Sequence, residues 1–404
     1  MPEVFDSQAK SLLLRDKNIF HITLISLIYL LSWALVSPYI TIRIHEITRS
    51  FFITGLLVAL YYVIRLLLDI PISSFCEKRN TKKVLESFFV LAVLVSLAYI
   101  IITDVRQLLV LRLLHGIVAA GLWISFWTYS REVRAKKKLK EKPAELLLMD
   151  YLMDFVLVLG PFVGGLIMMK YSWVYGFVLT SIGMLVGLGL SLVKIKPIKS
   201  PVKTLKPFKE EFRNFTLFKR VSTLPILVAL FFGMGSIFWV ILPILLFMNG
   251  FSIFEIGLTL TLMYVSGLLM EETAREHTLK MGSKRTILFS LVLQAIAFWM
   301  VSKTFFPPVV YLSAFLAGMS WLYFKQASDL YFLSVLKVDM KNTVDGSLRM
   351  FLELGAAVII PLVGYLLSAR DASSVLMLLA FLNLLAVIFV FPLRSPKKAH
   401  TKYF

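Results

Sequence analysis

Apolar residues along this chain gather into twelve long runs, at 19–40, 51–74, 84–103, 106–128, 146–169, 172–193, 223–248, 254–274, 284–303, 307–333, 347–369 and 372–393. Each run is near the ~20 residues that carry a helix across ~30 Å of hydrocarbon. The pattern therefore predicts twelve spanning helices joined by short polar connections. It also repeats. Ser50–Leu85 recurs at Ser252–Ile287, a shift of 202 residues in a chain of 404. Ser50, Phe52, Gly55, Leu56, Leu60, Tyr62, Val63, Leu66 and Leu67 meet the same residue types at Ser252, Phe254, Gly257, Leu258, Leu262, Tyr264, Val265, Leu268 and Leu269. Lys78 and Lys82 meet Lys280 and Lys284, and Asp69 meets Glu271. Asn80 meets Gly282, two residue types that tolerate a left-handed turn. A half-length repeat predicts two similar halves: a six-helix bundle over 1–193, a basic linker over 194–222, and a second bundle over 223–404 ending in a short basic tail.

Composition turns this pattern into a class. Hydrophobic residues make up 58% and charged residues 17%. A water-soluble domain of this size could not bury so much apolar surface, so lipid is the solvent and the fold is all-α integral membrane. Cys76 is the single cysteine, which excludes an internal disulfide and argues against a cysteine-based metal site. The five histidines form no metal-like cluster, and neither a metal nor a cofactor is expected. The N-terminal Lys10, Arg15 and Lys17 precede a full-length apolar run without a small-residue cleavage site, unlike a signal peptide.

The net charge of +19 raises the question of nucleic acid, and the placing of the charge answers it. Alternate connections, with the two ends and the middle segment Lys194–Arg220, hold 34 of the 43 Lys and Arg. The opposite connections hold six, Arg43, Arg49, Arg106, Lys170, Lys303 and Arg370, while Arg65, Arg112 and Lys325 lie inside spans. This is the positive-inside asymmetry. It predicts a multi-pass protein of the cell membrane with both termini cytoplasmic, a partner in the lipid bilayer, and no nucleic-acid partner. Within the linker, Phe208–Phe218 has the composition of a helix lying on the membrane surface.

Motifs narrow the class. Ser73–Leu85 reads S-S-F-C-E-K-R-N-T-K-K-V-L and resembles the cytoplasmic signature of the major facilitator superfamily. Glu77 stands for its acid, Lys78 for its Arg, Asn80 for its second Gly and Lys82 for its later base, while Ser73 replaces the first Gly. On span 4, Arg112-Leu-Leu-His115-Gly116-Ile-Val-Ala-Ala120 is similar to the family's fourth-helix pattern, with His115 where Gln is usual. Gly116 and Ala120 form a small-residue seam for close packing. Span 5 carries Gly160-Pro161-Phe-Val-Gly164-Gly165, echoed on span 11 by Ile360-Pro361-Leu-Val-Gly364. It resembles the core of the motif of export antiporters, with Val156 in place of the upstream glycine. The chain thus resembles the drug:proton antiporter-like, twelve-helix members of that superfamily.

The resemblance implies that helices 1, 4, 7 and 10 line a central cavity. Five of the seven tryptophans lie on those spans. On span 4, at about 100° per residue, Arg112, His115, Trp123 and Trp127 fall within a face roughly 120° wide. Span 1 presents Ser26, Tyr29, Trp33 and Ser37; span 7 presents Phe232, Gly235, Ser236 and Trp239; span 10 presents Trp321 and Lys325. Such a wall suits a planar or amphipathic small molecule better than a sugar, which needs more hydroxyl and amide partners. The competing reading is that these aromatics only pack helices.

Charged residues inside spans complete the picture. Asp150 and Asp154 share a face of span 5. Asp154 is the deeper, placed either to carry a proton or to pair with Arg112 or Lys325. Arg65 with Asp69, Lys325 with Asp329 and Arg349 with Glu353 have the i,i+4 spacing of intrahelical ion pairs. With Glu77, Lys78, Lys82, Glu271, Lys280 and Lys284, the Arg65, Asp69, Arg349 and Glu353 side chains are expected to form a cytoplasmic gate.

The resulting expectation is a monomeric secondary transporter working by alternating access, with proton-coupled efflux of an amphipathic molecule as its function. The alternative is a proton symporter importing an organic anion at Arg112, His115 and Lys325. A non-transporting membrane sensor is the third reading, disfavoured because no long soluble segment accompanies the spans. No phosphate-binding Gly-rich loop points to an ATP-driven pump, and no constellation points to an enzyme.

Overall fold

In the computed structural model, residues 16–78, 80–136, 143–198, 223–335 and 341–393 are described. Among them, twelve helices are long and apolar enough to cross a membrane. They are α1 (Lys17–Thr48), α2 (Phe51–Lys78), α3 (Thr81–Ile101), α4 (Val105–Lys136), α5 (Pro143–Lys170) and α6 (Trp173–Lys194), then α7 (Leu224–Met248), α8 (Ile253–Met281), α9 (Ser283–Lys303), α10 (Pro307–Val335) and α11 (Lys341–Ala369). The last, α12, runs over Ala372–Leu385 and tightens into a 3₁₀ turn at Ala386–Val390. The fold is all-helical, with twelve spanning helices in two related halves. The proposed surface helix at 208–218 lies outside the described residues.

The helices outlast the apolar runs that predict them, because backbone hydrogen bonding continues into polar sequence once a turn is established. Thus α2 reaches Lys78 and α8 reaches Met281, so Cys76–Lys78 and Arg275–Lys280 are last helical turns. α4 continues to Lys136, placing Arg134 and Lys136 in its last turn, where cations favour the dipole. The turn after α8 is Gly282 at φ 83°, a conformation open to glycine. Its repeat mate is different. Asn80 sits at φ −71° and caps α3, its side-chain carbonyl accepting from Lys82 N at 3.1 Å. Asn80 therefore serves through its side chain as a helix cap, not through left-handed backbone.

α7 is broken. Its segments are Leu224–Gly235, Ile237–Val240 and Leu242–Met248. Pro243 lacks the N–H that would continue the ladder, and its ring crowds the carbonyl four residues back. At the first break the Ser236 hydroxyl donates to Gly233 O at 2.6 Å. Such breaks at membrane depth are tolerated where protein surrounds them, and α7 is the most buried of the spans.

The chain divides into two compact units, Met1–Ser37 with Leu67–Leu205, and Pro38–Leu66 with Lys206–Phe404. The end of α1 from Pro38 and the start of α2 cluster with the second unit. In the first unit α3 packs on α4 and α6, and Ile72, Cys76, Val84 and Ala120 join α2, α3 and α4 in one apolar cluster. Ser96 and Ser181 share a hydrogen bond at 2.7 Å, tying α3 to α6. In the second unit α9 packs on α10 and α12, α8 on α10, and α7 on α11. Phe231, Phe324 and Tyr331 anchor its core. The pairing of α3 with α6 thus returns as α9 with α12.

Candidate substrate and coupling sites

Within the first unit, α1, α3 and α4 bring four predicted or polar side chains together. The Trp33 indole stacks on the His115 imidazole, with centroids 4.0 Å apart and planes at 20°. His115 Nδ1 lies 2.9 Å from Tyr99 Oη and 3.3 Å from Arg112 Nη1, while Arg112 Nη1 donates to Tyr99 Oη at 3.2 Å. A guanidinium only donates, so it favours the His115 tautomer whose Nδ1 accepts. Arg112 and His115 are buried, at 4% and 6% exposure. Tyr99 was not among the expected site residues. Its signal was a lone hydroxyl near the end of an apolar run, which must find a partner when buried. Trp123 and Trp127 form an edge-on pair at 6.1 Å, and Tyr29 packs against Phe126 at 5.7 Å.

The second unit holds a longer constellation. On α7, Phe232 and Trp239 keep partial exposure among buried neighbours. Phe232 meets Trp239 at 5.5 Å and Trp321 of α10 at 5.2 Å. Trp321 lies near-parallel to Phe231, which stacks on Phe324 at 3.9 Å. From the other end of this row, Trp239 Nε1 donates to Tyr62 Oη at 3.4 Å, and Tyr62 meets Tyr61 edge-on at 5.2 Å. Arg65 donates to Tyr61 Oη at 3.3 Å, lies over its ring, and pairs with Glu353 of α11 at 2.9 Å.

The Arg65–Glu353 pair changes the sequence picture. Arg65 stands 13 residues from Lys78, about 20 Å along α2 from its basic end, and Glu353 is 5% exposed. Both residues have an oppositely charged i,i+4 neighbour, and in addition they reach each other across two helices. The pair lies at mid-helix, continuous with the aromatic row. Ser236 also departs from expectation, being buried with its hydroxyl tied to Gly233 O. Lys325 is partly buried beside Trp321 in sequence.

The other expected gate residues take several positions. Lys82 Nζ donates to Leu192 O at the end of α6, at 3.0 Å, and pairs with Glu86. Lys284 Nζ donates to Phe391 O just past α12, at 2.8 Å. The repeated lysines thus bind the carbonyl ends of the last helix in their own halves, where cations satisfy unpaired acceptors. Lys280 forms an exposed pair with Glu276 at 3.1 Å. Glu271 is buried and accepts from Gln326 Nε2 of α10. Asp69 and Arg349 are partly buried. The side chains of Glu77, Lys78 and Asp150 lie outside the described residues.

Asp154 is partly buried on α5, 11 residues after Pro143 and so about 16 Å along the helix. Beyond it, Gly160, Pro161, Gly164 and Gly165 are buried. A Cβ at Gly160 would overlap Ala34, and one at Gly164 the Leu35 carbonyl, so α5 and α1 meet backbone to backbone. Gly116 and Ala120 are buried on α4. The echoed motif on α11 faces another helix. A Cβ at Gly364 would overlap the Phe51 carbonyl of α2, and one at Gly55 would lie 3.0 Å from Pro361 Cα.

Residues 22–271 match the sequence model of the Major Facilitator Superfamily. No curated protein matches the chain in sequence. Among solved structures, the chain is similar to the nucleoside transporter NupG, at TM-score 0.80 and 12% identity over 93% of this chain and 99% of that one. It is also similar to a POT family transporter in complex with a thioalcohol-conjugated peptide, at TM-score 0.72 and 12% identity over 92% and 94%. The human organic anion transporter MFSD10 is similar at TM-score 0.66 and 14% identity over 93% and 99%. A family match over more than half the chain, with twelve spanning helices, makes this protein a member of the major facilitator superfamily, a multi-pass membrane transporter and not an enzyme.

Proposed function

We propose that this transporter exports an amphipathic aromatic molecule in exchange for protons. In this reading it is a monomer of the cell membrane, alternates access between two six-helix bundles, and keeps both termini and the basic linker on the cytoplasmic side. The observation that carries the substrate class is the partly exposed row of Trp239, Phe232 and Trp321 on α7 and α10, running into Tyr62 and Tyr61. Flat apolar faces with few free hydroxyls favour aromatic ligands over sugars. In this reading Asp154 is the carboxyl within a spanning helix that carries the proton, since an ionisable side chain at membrane depth marks a function. The similar structures carry nucleoside, peptide and organic anion transporters in their names, so the shared fold leaves the substrate to the residues.

The adjacent Arg112 and His115 favour a second reading, import of an organic anion. A thermal-shift screen of the purified chain separates the two. Aromatic amphiphiles, organic anions and sugars are compared, because a ligand of the folded state raises the melting temperature. Stabilisation by the aromatic amphiphiles is expected. Stabilisation by anions alone overturns the export reading.

A further inference from the structure

The break of α7 at Ser236 falls between two rings of the aromatic row. Phe232 belongs to the segment before it and Trp239 to the segment after it. Behind the break stands α9. On the buried face of α9 the hydroxyls of Thr286, Ser290 and Ser302 turn back to carbonyls three or four residues earlier. Gln294, 2% exposed, reaches another helix instead. Its Nε2 donates to Phe231 O of α7 at 3.4 Å. A Cβ at Gly235 would lie 2.7 Å from that nitrogen, so Gly235 leaves the room through which the amide approaches the α7 backbone. A carbonyl only accepts, so the amide turns its NH₂ to Phe231 O. Its other end, Oε1, is buried with no hydrogen-bond partner among the described residues.

We infer that Gln294 is a positioning residue that lets α7 open at Ser236, its Oε1 accepting a backbone N–H that the opening releases. In hydrocarbon a released N–H finds no water, so a helix opens there only where protein supplies a new acceptor. A buried carbonyl with nothing to accept is itself unfavourable. Closed α7 leaves that cost standing. Open α7 removes it while freeing a donor, so the two costs offset and the two forms of the helix approach each other in free energy. Ser236 weakens the ladder at the same point. Its hydroxyl donates to Gly233 O at 2.6 Å, the carbonyl that the N–H of Ile237 would take in a regular helix. Opening at Ser236 changes the spacing of Phe232 and Trp239, whose rings now meet at 5.5 Å. That consequence for the substrate rests on the reading of the row as the substrate wall; the opening itself does not.

Amide hydrogen exchange of the purified full chain, followed in the peptides that span 232–241, tests this without any ligand. Gln294→Met keeps the length and volume of the side chain and removes the acceptor. Exchange at Ser236–Val240 should slow by about fivefold or more, the effect of one hydrogen bond lost from the open form. Exchange in α10 and α11 should stay as in the parent, and the melting temperature should hold or rise as an unmatched carbonyl leaves the closed form. Gln294→Asn keeps an amide on a shorter stem that cannot reach α7, and should slow the same amides, so the test stands even if one variant fails to fold. Faster exchange with a lower melting temperature would show that Gln294 holds α7 shut, and unchanged exchange that it has no part in the opening. Either result overturns the proposal. Since no ligand is used, such a failure leaves the export reading standing, and a failed thermal-shift screen leaves the hinge.

Discussion

Arg112, Tyr99 and His115 show how much of the chemistry rests on single side chains. Tyr99 Oη touches both the guanidinium and the imidazole, so Tyr99→Phe removes the group they share while keeping the ring. A buried donor left short of a partner costs about 1–3 kcal/mol. Tyr99→Phe should lower thermal stability by that order, whereas an unchanged melting curve would show that the hydroxyl is dispensable. Asp154 tests the proton. Asn keeps the size and hydrogen bonding of the protonated acid but cannot titrate, so Asp154→Asn should bind substrate without the pH dependence of the parent. It should exchange substrate downhill yet fail to concentrate it. Uphill, pH-driven transport by Asp154→Asn would make Asp154 a structural partner. At this scale the sequence was only partly legible. Arg65, Arg112 and Glu353 stood out because charges in apolar runs demand an explanation. Their partners did not, because Arg65–Glu353 and Arg112–Tyr99 are tertiary pairings that no local spacing encodes.

Helices and their seams are the next level, and here the repeat has physical content. Lys82 and Lys284 hold the carbonyl ends of α6 and α12, a role that matched positions in a repeat could not distinguish from gating. Lys82→Met or Lys284→Met should each destabilise the chain by about 1 kcal/mol, with substrate affinity unchanged. A large loss of affinity from either would return these lysines to the transport cycle. The α1–α5 seam is less forgiving, because Gly164 faces backbone. Gly164→Leu should cost roughly 1–3 kcal/mol through overpacking, read as a lower melting temperature or loss of folded protein. Wild-type stability would mean that the seam can open. Spans were legible because apolar length is what a bilayer demands. The breaks in α7 were not, since Pro243 within an apolar run reads the same as the tolerated Pro38 inside α1.

Across the whole molecule, the half-length repeat announced two related halves, and the paired packing of α3 with α6 and α9 with α12 reflects it. Other relations were hidden. The Gly-Pro motif of α5 and its Ile-Pro echo on α11 look equivalent in sequence, yet one faces α1 and the other α2. Likewise Pro38–Leu66 clusters with the second unit, because packing partners and not sequence order decide which unit a segment joins. The central claim is that this architecture couples the movement of an aromatic amphiphile to protons. Its most direct test is transport in proteoliposomes with an imposed pH gradient, following a labelled amphiphile that stabilises the chain. Accumulation above the equilibrium concentration on the acidic side, abolished by collapsing the gradient, is the predicted result. Equilibration to equal concentrations, unaffected by the gradient, would contradict it.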